Sequence, residues 1–328
     1  MNYERIRLRP SQFESVTSLD VSEFDILLPL FKVEIDRVLR YTSRGTIRKN
    51  RLNYPLTLPS DAHVLFFTLT YLKLNPLQEQ HGASFDMSQE SVSRWFRLGE
   101  KALNLTLKKS GYVPCRDGVM FADWLKKAST ALITQKQNSK DTEINELVTD
   151  GEHYFIDASD RGIQRPKDNE EQEEKYSGKH HCHTIKNTYV SNEKSEILYL
   201  GHTYEGRKHD KRMVDEELIN FPDESFLWKD LGYHGYLPKN VHCFEPYKKP
   251  KNGELTKIQK QENQLIASVR IVVEHAIGGV KRCRIVKEII RIYDTTIRDR
   301  VVEDCAALHN FRVAQRNPYK INDLLIAK

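Results

Sequence analysis

The hydrophobic pattern of the chain changes near residue 150. Before this point, apolar residues recur at helical spacing, as they do from Ile26 to Leu39 after a capping residue at Asp20. After it, short apolar runs separated by turn residues have the pattern of strands. The predicted order there is strand, two strands of a hairpin, helix, strand, strand and a long helix. Because a mixed β-sheet with flanking helices accommodates this order, we predict an α/β domain that follows an all-helical domain.

Length and charge narrow the class of protein further. The chain has 328 residues, which fits one large domain or two domains, and its formal net charge is +5. This mildly basic balance permits nucleic acid as a partner without requiring it. No segment approaches the roughly 18 apolar residues of a membrane span, so we expect no membrane partner.

The N-terminal residues and the cysteines favour a location inside the cell. Met1–Pro10 carries charges where a signal peptide needs its apolar region. The 5 cysteines are scattered, odd in number and without a CxxC pair. Such usage is typical of a reduced, intracellular chain.

A helix-turn-helix is predicted within residues 77–96. A short helix, a turn from Gly82 to Ser88 and a second helix capped by Ser88 would form this unit, with Val92 and Phe96 packing inward. Two helices joined by a polar turn are common in any helical domain, so a purely structural role stays open. The residues expected to face a DNA groove are Gln89, Ser91 and Arg94.

Residues 40–51 form a basic segment with five cations and no acid. Such a run is typical of a solvated loop, and contact with DNA phosphates is the alternative. The candidates for phosphate contact in this segment are Arg44, Arg48 and Lys49.

Three acids occupy positions that the predicted α/β order would bring together. Asp157 ends the first predicted strand, Asp230 ends the fourth, and Glu274 lies on the long helix. Carboxylates held on rigid elements can share divalent cations, and two Mg²⁺ ions about 3.5–4 Å apart can activate one oxygen and stabilise the leaving one in phosphodiester chemistry. A surface charge or a salt bridge is the usual alternative for each acid alone. Their joint placement favours a metal site.

The long helix carries two cations near Glu274. Arg270 lies four residues before it and Lys281 seven residues after it, so helical spacing places all three on one face. Both cations could hold DNA phosphates beside a metal. An intrahelical pair of Arg270 with Glu274 is the alternative, and Gly278 and Gly279 weaken the helix before Lys281.

Further side chains near the predicted strands are candidates for DNA contact. Trp228 and Tyr233 are expected to be buried in the core, with stacking on bases as the alternative. Lys186 could contact a phosphate.

Four blocks of the sequence resemble DDE transposases, most of all the insertion-sequence-5 type, which is related to the eukaryotic PIF/Harbinger elements. No block is specific alone, but together they follow the family order over about residues 150–315. Ala307–Phe311 resembles the C-terminal helix of the family, and residues 20–110 resemble its helix-turn-helix domain. The blocks are FIDASDRGIQRP (155–166), GRKHD (206–210), KDLGY (229–233) and RIVVEHAIGGVK (270–281).

The resemblance implies an RNase H-like catalytic core and a triad. In the family, two Asp and one Glu hold the metals, and these map onto Asp157, Asp230 and Glu274. A family signature, Tyr-x2-Arg-x3-Glu-x6-Lys, is met here except that Ala267 stands at the tyrosine position. Asp210 competes for the second carboxylate. Asp230 is preferred because it follows an apolar strand and precedes a Gly-Tyr pair, as in the family.

The resemblance also implies an activity and its partners. It implies a DNA transposase that binds the terminal inverted repeats of its element, cleaves with a water activated by Mg²⁺ or Mn²⁺, two ions in all, and joins the freed 3′-hydroxyl to target DNA. We expect at least a homodimer on double-stranded DNA, in the cytoplasm with the nucleoid if bacterial and in the nucleus if eukaryotic. A transposase-derived DNA-binding protein without catalysis, and an RNase H-like endonuclease without strand transfer, are the alternatives.

The expected domain organisation follows from these assignments. We expect a helical DNA-binding domain at residues 1–110, a helical linker region at 111–149 and the RNase H-like DDE domain with its C-terminal helix at 150–328.

Overall fold

The computed structural model describes residues 1–42, 44–50, 52–127 and 152–316. Part of the predicted linker, residues 128–149, and both ends of the predicted catalytic domain, 150–151 and 317–328, lie outside these ranges. The described residues form two compact units. The helical unit comprises Met1–Val113, Arg161–Gln164 and Gly278–Arg316, and the sheet unit comprises residues 114–160 and 165–277 in their described parts.

The elements follow the predicted change of pattern along the chain. The N-terminal part is helical: α1 (Tyr3–Arg7), α2 (Pro10–Thr17), α3 (Val21–Arg40), α4 (Asp61–Leu74), α5 (Gln78–Phe85), α6 (Gln89–Lys109) and α7, described over 118–127. The later elements are β1 (His153–Gly162), α8 (Asn169–Lys175), β2 (Tyr176–Ser177), β3 (Cys182–Asn192), β4 (Ile197–Leu200), β5 (Tyr204–Glu205), α9 (Asp210–Glu217), β6 (Phe226–Trp228), a 3₁₀ turn (Leu231–Tyr233), β7 (His242–Phe244), α10 (Lys257–Val280), α11 (Arg284–Lys287) and α12 (Thr295–Arg316).

Helix α3 begins where its capping residue predicts. The Asp20 side chain accepts a hydrogen bond from the Glu23 backbone N–H at 2.8 Å, and the Glu23 carboxylate accepts one from the Asp20 N–H at 2.8 Å. This reciprocal pair is a capping box. Phe24, Leu27 and Phe31 then bury one face of the helix.

The predicted helix-turn-helix is present as α5 and α6, with one correction. Helix α5 ends at a left-handed residue, Asp86 (φ 54°), and the Ser88 side chain caps α6. Val92 and Phe96 are buried, as predicted. Gly82, however, lies inside α5 rather than in the turn. A Cβ at Gly82 would lie 2.4 Å from the Met87 carbonyl oxygen, so the missing side chain serves close packing.

Helix α12 belongs to the helical unit. It packs against α6, where the Arg300 guanidinium donates two hydrogen bonds, of 2.8 and 2.7 Å, to the Glu100 carboxylate. Glu100 is fully buried. The contacts therefore group residues 278–316 with the N-terminal helices, whereas the sequence prediction attached this helix to the catalytic domain.

The sheet unit contains a mixed sheet, as predicted. The strand order is β2-β3-β1-β6-β7; β6 runs parallel to β1 and β7, and β4 and β5 pair antiparallel with β3. A buried cluster supports the sheet, including Tyr154, Ile156, Val190 and Leu227. Fold class is thus confirmed as an α/β mixed sheet with flanking helices after a helical region, consistent with an RNase H-like core. Among the described helices, none is long and apolar enough to cross a membrane.

Candidate active site

The register of two parallel strands brings Asp157 and Asp230 to the same level. Phe155 of β1 pairs with Trp228 of β6, and each aspartate lies two residues further along. Two residues is the repeat of side-chain direction in extended chain, so both carboxylates emerge beside each other. The strand ends differ from prediction, because β1 continues through Asp157 to Gly162 and β6 stops at Trp228.

Each of the two aspartates is fixed by a backbone hydrogen bond. The Asp157 carboxylate accepts one from the Ala158 N–H at 2.8 Å, and the Asp230 carboxylate accepts one from the Leu231 N–H at 2.7 Å. Asp230 thereby caps the 3₁₀ turn that follows β6. Each bond fixes the orientation of its carboxylate and leaves further oxygen lone pairs able to accept hydrogen bonds.

The guanidinium of Arg270 lies between the two carboxylates. Its nitrogens are 3.7 Å from Asp157 Oδ2 and 3.5 Å from Asp230 Oδ1. The Arg270 side chain is only 10% exposed, and its Nε has no hydrogen-bond partner among the described residues. Since two like charges repel, a cation between them stabilises the arrangement. Arg270, predicted to contact phosphate, thus pairs with the acids in this structure.

The pKa of Asp157 is raised to about 6 from its ordinary value of 3.8. Burial is the main cause, and the neighbouring charges of Asp230 and Asp210 add to it, while Arg270 and the Ala158 N–H act in the opposite direction. The charges of two other aspartates therefore act on Asp157 at this edge of the sheet.

Asp210, the competing second carboxylate, has its own cation. The Lys186 ammonium donates to Asp210 Oδ1 at 2.8 Å. On its other side, Asp210 reaches the loop after β6, where a Cβ on Gly232 would lie 2.6 Å from Asp210 Oδ2. This ion pair was missed from the sequence, which treated Lys186 only as a phosphate contact. The sequence gives little signal for this ion pair, because β3 and α9 come together only in the tertiary fold.

Glu274 lies one helical turn from Arg270, on an exposed face of α10. Four residues of helix rise about 6 Å. Glu274 forms no ion pair with any described residue, and no cluster of three or more His, Cys, Asp or Glu suited to a metal occurs in the described ranges. Asp157 and Asp230 therefore lie on either side of the Arg270 guanidinium, and Glu274 lies one turn further along α10, outside this arrangement.

Lys281 departs from the sequence prediction. Helix α10 ends at Val280, so Lys281 follows the helix instead of continuing its face. The glycines at 278 and 279 precede this end. Helical spacing therefore no longer fixes the direction of the Lys281 side chain.

The residues around Asp157 and Asp230 fit a divalent cation in part. Carboxylate oxygens are the ligands that Mg²⁺ and Mn²⁺ prefer. The two aspartates already converge on one positive charge, and their mutual repulsion favours a cation between them. A third ligand from Glu274 is not part of this arrangement.

Both aromatic candidates for base stacking are buried in the core, as expected. Tyr233 is fully buried. Trp228 is 9% exposed and stacks on Phe244 with ring centres 4.4 Å apart.

The DNA-binding residues predicted in the helix-turn-helix and in the basic segment lie in the helical unit. Gln89, Arg94, Arg44 and Lys49 are exposed, and Ser91 is half-buried. Arg48 lines a groove of about 560 Å³ that we call the basic groove. The cations that line the basic groove are Arg48, Arg94, Arg97, Lys101 and Arg300.

Two cations on α6 that line the basic groove were missed from the sequence. Arg97 and Lys101 follow Arg94 by three and seven residues, so all three share one face of α6. Arg94 and Lys101 form no ion pair with a described residue, while Arg97 is 4.0 Å from Asp294. The helical spacing from Arg94 was the signal that could have revealed them.

Comparisons with known proteins agree with this architecture. Residues 156–310 match the profile of the DDE superfamily endonuclease, and residues 63–109 match that of the helix-turn-helix of DDE superfamily endonuclease. A stretch of 121 residues is 37% identical to the probable transposase for insertion sequence element IS702 of Microchaete diplosiphon. This stretch covers 37% of the chain and 43% of that relative.

No solved structure matches the chain. The two profile matches fall on α4–α6 and on the segment that carries the strands, α10 and most of α12. Two parts of the chain are thus similar to DDE superfamily proteins: residues 156–310 to the endonuclease and residues 63–109 to its helix-turn-helix.

Proposed function

We propose that the protein is a DNA transposase of the insertion-sequence-5 type, related to PIF/Harbinger transposases. In this proposal it cleaves phosphodiesters at the terminal inverted repeats of its element and joins the freed 3′-hydroxyl to target DNA. One observation carries the proposal. Asp157 and Asp230 lie at the same level of two neighbouring parallel strands, on either side of the buried Arg270 guanidinium. The matched endonuclease profile and the named relative support the same reaction class.

We infer that Asp157, Asp230 and Glu274 are catalytic and hold Mg²⁺ or Mn²⁺, as two ions. When bound, the metal supplies Lewis-acid activation of the attacking oxygen and stabilises the leaving one. The chain contributes carboxylates that are fixed by backbone hydrogen bonds before substrate arrives. Arg270 supplies a buried positive charge that balances the aspartates or a DNA phosphate, and Lys281 is proposed as a second phosphate contact.

The helical unit is proposed to bind double-stranded DNA. Helix α6 would present Gln89, Ser91 and Arg94 to a groove, and Arg44, Arg48 and Lys49 would contact phosphates. The support is the exposure of α6 at its N-terminal end and the excess of cations in the basic groove. Because two element ends must be joined, we propose at least a homodimer on DNA. The expected location is the bacterial cytoplasm, or the nucleus in a eukaryote.

Cleavage of DNA from the flanks of the gene tests the proposal. Purified protein is incubated with this DNA in Mg²⁺ or in EDTA, and the ends of the products are mapped. Cuts at defined ends in Mg²⁺ alone, lost in Asp157→Asn, Asp230→Asn and Glu274→Gln, are expected. Asp215→Asn, an exposed aspartate on α9 paired with Lys211, is the matched control.

Three results would overturn parts of the proposal. If Asp230→Asn cleaves and Asp210→Asn does not, Asp210 is the second carboxylate. If cuts occur but a supercoiled target never acquires joined ends, the protein is an RNase H-like endonuclease without strand transfer. Cleavage that persists in EDTA would remove the metal from the reaction.

A DNA-binding protein without catalysis is the second candidate function. One observation favours it: the described residues hold no group of three acidic or other metal-binding side chains. Tight, metal-independent binding to the same ends, with no cleavage, would select this function over the first.

A further inference from the structure

A lysine lies fully buried directly before Asp230. The Lys229 side chain has no exposed surface. A buried ammonium is costly unless hydrogen bonds and an opposite charge compensate it, and an apolar side chain of similar size often fills such a position at no loss of stability. Packing alone therefore does not account for a lysine here.

The Lys229 ammonium binds the chain segment that follows the aspartate. It donates hydrogen bonds to the backbone carbonyls of Tyr233, at 3.3 Å, and Tyr236, at 2.7 Å. Both carbonyls belong to residues 230–236, which we call the Asp230 loop. Within it, the Tyr233 N–H donates to the Asp230 carbonyl at 3.0 Å and the Tyr236 N–H to the Tyr233 carbonyl at 2.9 Å. One buried cation thus holds the loop closed from inside the protein.

Glu245, which directly follows β7, contacts the same loop. Its Oε2 is 2.8 Å from the Lys229 ammonium, and its Oε1 is 2.8 Å from Nδ1 of His234 in the Asp230 loop. Burial acts to raise the pKa of Glu245, but the hydrogen bonds of Lys229 and His234 outweigh it, so this pKa lies below its ordinary value. The carboxylate therefore bridges the buried ammonium and the exposed side of the loop as a charged group.

The backbone at Asp230 connects this network to the candidate active site. Asp230 is extended (φ −86°, ψ 168°), and neighbouring side chains of extended chain point to opposite sides. Lys229 therefore points into the protein, while the Asp230 carboxylate emerges beside Asp157. The same carboxylate accepts the Leu231 N–H, the first N–H of the loop after Asp230, at 2.7 Å. A change in the loop would therefore move the carboxylate.

We propose that Lys229 and Glu245 are positioning residues, which hold the Asp230 loop so that the Asp230 carboxylate lies beside Asp157 before a metal binds. This inference rests on the proposed function, in which both aspartates are metal ligands. The two positioning residues act through the loop, without contacting the metal. If the loop samples other conformations, the apparent metal affinity falls in proportion to the fraction of molecules with the correct one.

The affinity of the DNA-free protein for Mn²⁺ alone tests the inference. Free Mn²⁺ is measured by electron paramagnetic resonance in titrations of wild type, Asp230→Asn and Lys229→Met. We expect Lys229→Met to bind about tenfold more weakly than wild type, since hydrogen bonds from a charged donor are lost. The matched control is Lys208→Met, which removes a largely buried ion-pair partner of Glu216 in the same unit and should bind like wild type.

Cleavage at varied Mg²⁺ concentration separates positioning from a general loss of structure. Because a bound metal favours the productive loop, Lys229→Met should need about tenfold more Mg²⁺ for its half-maximal rate and approach the wild-type rate at saturation. A purely structural role would instead lower the maximal rate and leave the Mg²⁺ requirement unchanged. This second pattern would overturn the inference.

A milder variant keeps the inference testable if Lys229→Met does not fold, which thermal unfolding reveals. Glu245→Gln removes a partly exposed charge and leaves the two carbonyl hydrogen bonds of Lys229 in place. We expect it to bind Mn²⁺ about threefold more weakly than wild type. Wild-type affinity in either folded variant would overturn the inference.

The outcomes distinguish this inference from the proposed function. If Asp230→Asn loses Mn²⁺ binding but Lys229→Met and Glu245→Gln bind like wild type, the positioning role is wrong and the proposed metal site stands. If Asp230→Asn binds Mn²⁺ as wild type does, or wild type binds none, the proposed metal site fails and the positioning role fails with it.

Discussion

Replacing Arg300 with methionine tests the buried contact between α6 and α12. The change removes a guanidinium that donates two hydrogen bonds to Glu100 and keeps most of the aliphatic stem. Glu100 is fully buried, and its pKa already lies above its ordinary value because burial outweighs the opposing effect of Arg300. Without the arginine, the carboxylate must stay charged without a partner or take up a proton.

The expected loss in free energy of unfolding is about 3 kcal/mol at pH 7. Removing one partner of a buried ion pair costs roughly 3–5 kcal/mol, and the lower end applies because 32% of the Arg300 side chain is in contact with solvent. Glu100→Gln together with Arg300→Met should recover most of this loss, because the side chain at position 100 is then neutral.

Urea unfolding provides the measurement. The described residues form two compact units, and chains with more than one unit need not unfold in a single step. The signal is therefore taken from Trp95 of the helical unit, in a background where Trp124 and Trp228 are phenylalanine. Since the unpaired Glu100 has a raised folded-state pKa, its cost should shrink as pH falls. A loss below about 1 kcal/mol, or a double variant no more stable than the single one, would refute the reasoning.

Three further predictions concern pKa values and packing. Burial raises the pKa of Glu217 to about 7 from 4.5, so the contribution of Glu217 to stability should fall by about 3 kcal/mol between these pH values; Glu217→Gln should remove this part of the pH slope in thermal unfolding, and an unchanged slope would contradict it. Arg270→Gln should raise the pKa of Asp157 above about 6, because the opposing positive charge is lost. Carboxyl NMR titration measures this pKa, and a fall would contradict the ion pair. Gly279→Ala should cost about 1–3 kcal/mol, because its Cβ would lie 2.1 Å from His309 Nδ1, whereas Gly278→Ala meets no atom within 4 Å and should be neutral or stabilising in urea unfolding.

Local signals in the sequence were sufficient for several elements. The start of α3 followed from Asp20, whose side chain and that of Glu23 satisfy free backbone N–H groups. The inward positions of Val92 and Phe96 followed from helical spacing after a capping serine. Gly82 was predicted to lie in the turn, but it lies inside α5, where the absence of a side chain allows close packing that no local pattern reveals.

The candidate site was predictable only in part. The order of strands indicated that Asp157 and Asp230 would meet, but their common level depends on the register between β1 and β6, which lie more than sixty residues apart in the sequence. The position of Arg270 between them is a tertiary contact, as is the pair of Lys186 with Asp210. Such contacts depend on how α9 and α10 pack, and hydrophobic periodicity does not encode this.

The helical unit has a consequence for the protein during its synthesis. Glu100 emerges 200 residues before Arg300, its partner on α12. At about 5–20 residues per second, the delay between the two is roughly 10–40 s. All described residues of the sheet unit are made within this interval. On the ribosome, Glu100 thus stays without its partner until α12 emerges, and the N-terminal helices complete their packing only after the segment with the aspartates has been translated.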